Sequence, residues 1–140
     1  MPWPAKTATA YGVTSEVCRN SSGRECGSLM CTSMSGAVGL EVRVRQTNHE
    51  GEMLDWLNAA ADEALPVVLN AAAWTHYSWA LFDACAQLTA PLVEVHISDP
   101  TQRPEEFRHT SVITPYATAV VAGHGIAGYR MALDRIADPD

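Results

Sequence analysis

Hydrophobic and polar positions follow regular periods from about residue 38 onward. Residues 40–45 alternate between apolar and charged side chains, which predicts a half-exposed strand. The stretch LPVVLN at 65–70 is almost continuously apolar, as expected for a strand covered on both faces. The stretches APLVEVHIS at 90–98 and ATAVVAGHG at 117–125 predict two further strands.

Three other segments have helical spacing. Residues 51–64 predict a helix with Asn48 as its cap, and residues 125–137 predict another. Residues 75–88 predict a helix whose buried stripe consists of Ala80, Leu81, Cys85 and Leu88. Strands and helices therefore alternate with short connections, which predicts an α/β domain with a parallel sheet flanked by helices.

The amino-terminal segment differs from the rest. Residues 1–37 mix Ser, Gly, Cys and Met without a period of 2 or 3.6. We interpret the 140 residues as a single domain in which residues 1–37 are atypical, and either poorly ordered or read in the wrong frame. Residues 38–137 are its regular body.

Composition narrows the classes of function. The formal net charge is −7 with nine Lys plus Arg, which argues against a nucleic-acid partner. No apolar run approaches the length of a membrane span, and the first residues lack the apolar core of a signal peptide, so we expect a cytoplasmic protein. The spacing of the four cysteines matches no zinc pattern, which favours free thiols.

Polar side chains stand at the tips of two predicted strands. Asn70 follows VVL, and His96 follows LVEV. Ligands of open parallel sheets bind beyond the carboxyl ends of the strands, so we expect both side chains to open on one crevice. The small residues of AAAWTH would let the backbone approach a ligand, with His76 near the next helix start. Asp83, seven residues on, would share a helix face with His76.

Several motifs together resemble a known family. RQTNHEGEMLDWLNAA, VVLNAAAWTHYSWALFDA, PLVEVHIS, EEFRHTS and VVAGHGIAGYRMAL are similar to type II 3-dehydroquinate dehydratase, in the family's order, over about residues 38–137. The resemblance implies a flavodoxin-like three-layer αβα domain that assembles as trimers into a homododecamer. It also implies loss of water from 3-dehydroquinate to give 3-dehydroshikimate, in the shikimate pathway, with no metal and no organic cofactor.

The resemblance also implies roles for individual residues. A tyrosine base removes the C2 proton, an enolate forms, and a histidine protonates the departing hydroxyl; EVHIS makes His96 that general acid and Glu94 its neighbour. Ile97 and Ser98 would offer donors to the substrate carboxylate. The remaining substrate-binding residues implied are Asn70, His76, Asp83 and Arg108.

Structural alternatives remain open for several of these positions. His76 could be a structural group at a helix start, and Asp83 an ordinary surface acid or a subunit contact. Arg108 could pair with Glu105 or Glu106 on a solvated turn.

The amino terminus departs from the family pattern. The family has an NGPNLN-like loop and then a stretch that supplies a catalytic arginine and the tyrosine base, and this sequence has no NGPN. AYGVT at 10–14 resembles the tyrosine segment, and GRE at 23–25 resembles the arginine segment. The two matches exclude each other, because an alignment that uses one of them leaves no stretch of chain at the right distance for the other. Tyr11 and Arg24 are therefore alternative matches. For the same reason the sequence does not locate the first strand and the first helix of the fold.

Two explanations of this departure lead to two functions. If the segment is read in the wrong frame, the body belongs to a working dehydratase. If the chain is a degenerate relative, it is a catalytically impaired member that only binds a small carboxylate and assembles into oligomers. A flavin or phosphate binder is weaker, because no clear strand precedes RNSSGRECGS at 19–28.

Overall fold

Five parallel strands form one sheet within the part of the chain that a computed structural model describes, namely the backbone of residues 7–13 and residues 40–138. The strand order is β2-β1-β3-β4-β5, and every pair of neighbours is parallel. The strands are β1 Thr7–Val13, β2 Glu41–Thr47, β3 Val67–Asn70, β4 Leu92–His96 and β5 Ala119–Ala122. The predicted parallel α/β sheet is confirmed.

The first strand, which the sequence leaves open, is Thr7–Val13. It lies between β2 and β3, with Thr7 paired to Glu41 and Gly12 paired to Asn70. Residues 1–6 and 14–39 lie outside the described part of the chain, and so do Arg24 and any first helix. The boundary near residue 37 and the nature of the segment before it therefore stay predictions.

Three α-helices in the described residues cover the two faces of the sheet. They are α1 Glu50–Asp62, α2 Trp79–Ala86 and α3 Ala127–Ala137. Alternate strand residues enter two separate clusters, since side chains of a strand alternate between its faces. Leu69 and Leu92 pack with α1 and α2, whereas Val68 and Val93 pack with α3. These layers are those of a flavodoxin-like αβα domain.

Helix α1 begins one residue later than a cap at Asn48 would require. Its N-cap is His49, whose side chain makes no capping hydrogen bond. The hydroxyl of Thr47 lies beside this helix start: Oγ1 accepts the His49 N–H at 3.0 Å and donates to the Glu52 carboxylate. The prediction of Asn48 as the cap is wrong, because the helical hydrogen bonds begin at His49, whose carbonyl accepts the Met53 N–H at 3.2 Å.

The helix predicted at 75–88 is two elements. A 3₁₀ turn covers Ala72–His76, and α2 starts only at Trp79, with Ser78 Oγ accepting the Leu81 N–H at 3.0 Å. Ser78 therefore caps a new helix. The buried residues of α2 are Leu81, Ala84 and Cys85. Ala80, predicted to be buried, is exposed, and Leu88 lies beyond the helix, where it packs partly buried against the core.

Candidate active site

A cavity of about 210 Å³ opens at the carboxyl ends of β3 and β4. Its volume lies below the roughly 300–1,000 Å³ of sites for drug-sized ligands, so it fits a small metabolite. Six residues predicted from the sequence line it, namely Asn70, His76, His96, Ile97, Ser98 and Arg108. The prediction that Asn70 and His96 open on one crevice is confirmed.

Glu94 lies beneath this cavity rather than in its wall. It is 0% exposed and points to the α1–α2 face of the sheet, on the same side of β4 as Leu92. A buried carboxylate is costly unless it is hydrogen-bonded. Glu94 has four side-chain donors: His96, Thr75, Ser111 and Thr114.

These donors decide the charge of Glu94. Burial by itself would raise the carboxyl pKa, but the hydrogen bonds from His96, Ser111, Thr114 and Thr75 outweigh it and lower the pKa from 4.5 to about 2. Glu94 is therefore a carboxylate at neutral pH and can only accept hydrogen bonds.

The charge of Glu94 fixes the orientation of His96. His96 Nε2 lies 2.8 Å from Glu94 Oε1, so Nε2 carries the proton of this bond. Nδ1 is then the nitrogen that can gain or release a proton. A histidine with a fixed tautomer at the wall of a cavity is arranged for general acid–base chemistry.

Asn70 is held on two sides. Its Oδ1 accepts the Ala72 N–H at 3.1 Å, and its Nδ2 donates to the Tyr129 hydroxyl at 2.9 Å. Ala72 has a φ of +47°, so the chain turns sharply here, and Ala72 and Ala73 both line the cavity. The small residues bring the backbone to the ligand space as predicted, and Asn70 retains hydrogen-bonding capacity for a hydroxyl.

His76 is oriented by the backbone. Its Nδ1 lies 2.8 Å from the carbonyl oxygen of Thr110, and since a carbonyl only accepts, Nδ1 carries the proton. The edge of the ring meets Phe107, with ring centroids 5.8 Å apart. In the neutral ring Nε2 is then an acceptor for a ligand hydroxyl. His76 is thus structurally anchored and also lines the cavity.

Two guanidinium groups line the cavity. Arg108 Nε lies 3.3 Å from Glu105 Oε2 without the geometry of a hydrogen bond, and its guanidinium stands 5.0 Å from the Phe107 ring centroid. Arg103 Nη2 donates to Ser98 Oγ at 3.2 Å. Because no Asp or Glu lines the cavity, these cations favour an anionic ligand.

Asp83 is placed elsewhere. It is exposed on α2 and does not line the cavity. The prediction that it shares a helix face with His76 is wrong, because His76 ends the 3₁₀ turn and α2 begins only at Trp79. Its contact with substrate stays a prediction.

Tyr11 lies in the middle of β1, where its backbone is level with Arg45 and Leu69. It is one residue before Gly12, which pairs with Asn70. Its assignment as a catalytic base also stays a prediction.

Sequence reasoning missed Arg103 and the hydroxyls around Glu94. A usable signal existed for the hydroxyls: a glutamate in an apolar strand requires donors, and the Ser and Thr residues of 75–78 and 110–114 were the available ones. Arg103 had the weaker signal of a cation in the loop that follows the β4 tip.

Two kinds of feature are absent from the described residues. They contain no group of three or more His, Cys, Asp or Glu side chains arranged to hold a metal ion. Nor do they contain a helix long and apolar enough to cross a membrane.

Comparison with known proteins points to a single family. The family model of dehydroquinase class II matches residues 23–137. A 3-dehydroquinate dehydratase of Salinispora tropica is 55% identical over 108 residues, which are 77% of this chain and 75% of that protein. One of Kineococcus radiotolerans is 58% identical over 100 residues, 71% of this chain and 68% of that protein.

A solved structure agrees with this assignment. The type II dehydroquinase from Propionibacterium acnes superposes with a TM-score of 0.87 at 39% identity, covering 95% of this chain and 98% of that one. The family match begins at residue 23, earlier than the 38 at which the resemblance was predicted to begin.

Proposed function

The chain belongs to the class II dehydroquinase family, and we propose that it acts by dehydrating 3-dehydroquinate to 3-dehydroshikimate with His96 as the general acid. The reaction is that of a hydro-lyase in the shikimate pathway. The observation that carries the role of His96 is its position in the wall of a cationic cavity, with a 2.8 Å hydrogen bond to the carboxylate of Glu94 buried beneath that cavity.

The reaction breaks the C2–H and C1–O bonds and forms the C1=C2 π bond and an O–H bond of water. A base takes the proton from C2, next to the ketone, and the electron pair enters the enolate. The enolate then expels the C1 hydroxyl, which leaves as water once His96 Nδ1–H has protonated it, and a C1=C2 double bond forms. Because Glu94 holds Nε2–H, the imidazolium charge is stabilised beforehand and falls back to neutral imidazole as the hydroxyl leaves.

The substrate carboxylate is bound by the loop that follows β4. Ile97 and Ser98 line the cavity there, and Ser98 Oγ, which accepts from Arg103, still has its own proton to donate. Arg108 supplies a second positive charge to this wall of the cavity. Asn70 and His76 Nε2 take the ring hydroxyls.

The base is the open part of the mechanism. The matched relatives align with 71–77% of this chain. The family tyrosine has no certain match here, because the register that makes Tyr11 the base excludes the register that makes Arg24 the loop arginine. A missing general base costs about two to four powers of ten in rate. We therefore expect slow dehydration, although six of the expected site residues, the proposed acid His96 among them, meet at one cavity.

Assembly and location follow from the same resemblance. We propose a homo-oligomer, trimers that build a dodecamer, working in the cytoplasm without a metal or organic cofactor. Exposed aromatic side chains support an interface: Trp79 on α2 is 69% exposed and stacks edge-on with Phe82, which in turn meets Tyr116. Native mass spectrometry measures the subunit number, and a monomer at micromolar concentration would contradict the assembly.

The test of the reaction is formation of the enone product. Purified chain is incubated with 3-dehydroquinate at neutral pH, and the enone absorbance of 3-dehydroshikimate is followed against a His96→Ala sample prepared in parallel. Product formation that depends on His96 is expected. Binding of substrate without any product in long incubations would instead identify a carboxylate-binding protein that no longer catalyses.

A further inference from the structure

Three hydroxyl groups enclose the carboxylate of Glu94. Thr75 Oγ1 and Ser111 Oγ lie 2.7 and 2.6 Å from Oε1, and Thr114 Oγ1 lies 2.6 Å from Oε2. Thr75 is completely buried, and the other two come from the irregular segment between β4 and β5. They converge from sequence separations of 17 to 20 residues.

The hydrogen positions in this group can be assigned by counting donors and acceptors. Ser111 Oγ accepts the N–H groups of Ile113 at 3.1 Å and Thr114 at 3.2 Å, which occupies both of its lone pairs. Ser111 can therefore only donate. Thr75 Oγ1, 2.7 Å from Ser111 Oγ, cannot give its proton to Ser111 and must give it to Glu94.

The same count favours the carboxylate over the neutral acid. A protonated Glu94 would bring an additional proton into a space where Ser111 has no lone pair left and His96 already directs Nε2–H inward. Around Oε1, which His96, Thr75 and Ser111 all approach, the arrangement is complete only when this oxygen is a pure acceptor.

We propose that Thr75, Ser111 and Thr114 are positioning residues for the general acid: their hydroxyls keep Glu94 ionised and aimed at Nε2 of His96, so that Nδ1 is always the nitrogen that exchanges the proton. This goes beyond the Glu94–His96 pair and rests on the proposed function only for its kinetic consequence. None of the three is a catalytic residue, because each acts through Glu94.

Few other ionisable groups surround Glu94 among the described residues. Cys85 faces it from α2, and burial, followed by the charge of Glu94, raises the pKa of that thiol to about 12, so it stays neutral. His96 is on the same strand, and His76 and Arg108 line the cavity above. Because burial opposes ionisation of Glu94, loss of one hydroxyl donor shifts its carboxyl pKa upward.

The first readout is the pH dependence of kcat. Protonation of Glu94 should lower kcat at acidic pH. In Thr75→Val and in Ser111→Ala this acidic limb of the profile should move upward by about one to two pH units, which corresponds to the loss of one hydrogen bond to a charged group. Thr75→Ser should restore the wild-type limb. Thr118→Val is the matched control, because it removes a hydroxyl that accepts from Leu92 N–H at the opposite end of β4.

The second readout needs no turnover. Nitrogen chemical shifts of the His96 ring, assigned with His96→Ala, report which nitrogen is protonated in the neutral form. The wild-type chain and Thr118→Val should show Nε2–H, whereas Thr75→Val and Ser111→Ala should show a mixture of both tautomers. If Thr75→Val does not fold, Thr114→Val decides, because residue 114 is exposed and the change leaves the core intact.

The outcomes separate the two proposals. An unchanged acidic limb together with an unchanged His96 tautomer in the hydroxyl-deleted variants would overturn the positioning role, whatever happens to their stability. Absence of dehydration by the wild-type chain would contradict the proposed function alone, since the tautomer measurement would still test the positioning role.

Discussion

His96 Nε2 and Glu94 Oε1 are 2.8 Å apart, on side chains two residues apart that leave the same face of β4. The period of two of a strand makes this pairing possible: alternate residues share a face, and the last of them stands at the strand tip beside the cavity. Glu94 is thereby buried while His96 keeps access to the ligand space. Apolar residues between and before them place the pair in the core.

His96→Ala is expected to lower kcat by about 10²- to 10⁴-fold and to change KM little. The reason is that the role proposed for the imidazole is exercised when the hydroxyl leaves, in the transition state, and a general acid contributes that range of rate. Initial rates of enone formation over a range of substrate concentrations measure both constants. A raised KM with an unchanged kcat would make His96 a binding residue.

Arg108→Ala is expected to give the opposite result. Its charge is at the cavity wall in ground state and transition state alike, so KM should rise about ten- to a hundredfold, as for one charge-assisted hydrogen bond, with a smaller change in kcat. Arg130→Ala is the control, because Arg130 is paired with Asp134 on α3. A fall in kcat at constant KM would show that Arg108 acts on the reacting atoms.

Much of this site could be predicted because its chemistry is at strand ends. Apolar runs located β3 and β4, and the polar residue that ends each run gave Asn70 and His96. The hydroxyls that surround Glu94 could not be placed in this way. Ser111 and Thr114 reach Glu94 from a segment of 3₁₀ turns and bends, where no period relates sequence position to direction.

The errors have similarly local causes. Periodicity extended a helix back to residue 75 because it does not detect a capping serine, and this misplaced Asp83 relative to His76. The strand TATAYGV carries few large apolar residues, so only its pairing with β2 and β3 identifies it as an interior strand. An interior position in a sheet depends on the neighbours of a strand, which its own sequence does not encode.

Tyr11→Phe is expected to leave the rate of dehydration within about twofold of the unmodified chain. The backbone of Tyr11 is inside β1, level with Leu69, whereas the site begins at the level of Asn70 and continues beyond the strand tips. A general base must come within hydrogen-bond reach of the C2 proton. Single-turnover product formation measures the effect. Tyr77→Phe is the control, because Tyr77 is exposed and its rate shows how much a neutral Tyr→Phe change varies the measurement.

The opposite outcome would also be informative. A fall of about 10²- to 10⁴-fold in Tyr11→Phe would assign the base to Tyr11 and remove the reason to expect a slow enzyme. The unmodified chain would then turn over in the ordinary range of roughly 1–1,000 per second.

Glu94→Gln is expected to reduce the pH dependence of stability. The carboxyl pKa is about 2 in the folded chain against an ordinary 4.5, so the group stabilises the fold fully above the unfolded value, and this contribution is lost as pH falls from about 4.5 through 2. The difference corresponds to about 3 kcal/mol for a completely buried group.

Urea unfolding of both proteins between pH 7 and pH 2 measures this contribution. The free energy of unfolding of the wild type should exceed that of Glu94→Gln by a constant amount down to about pH 5, and the difference should shrink by about 3 kcal/mol below it. Asp134→Asn, which removes an exposed carboxylate, should show no comparable change. If the difference between wild type and Glu94→Gln were the same at every pH, the carboxyl would titrate alike in both states, and the hydroxyls would not hold it ionised.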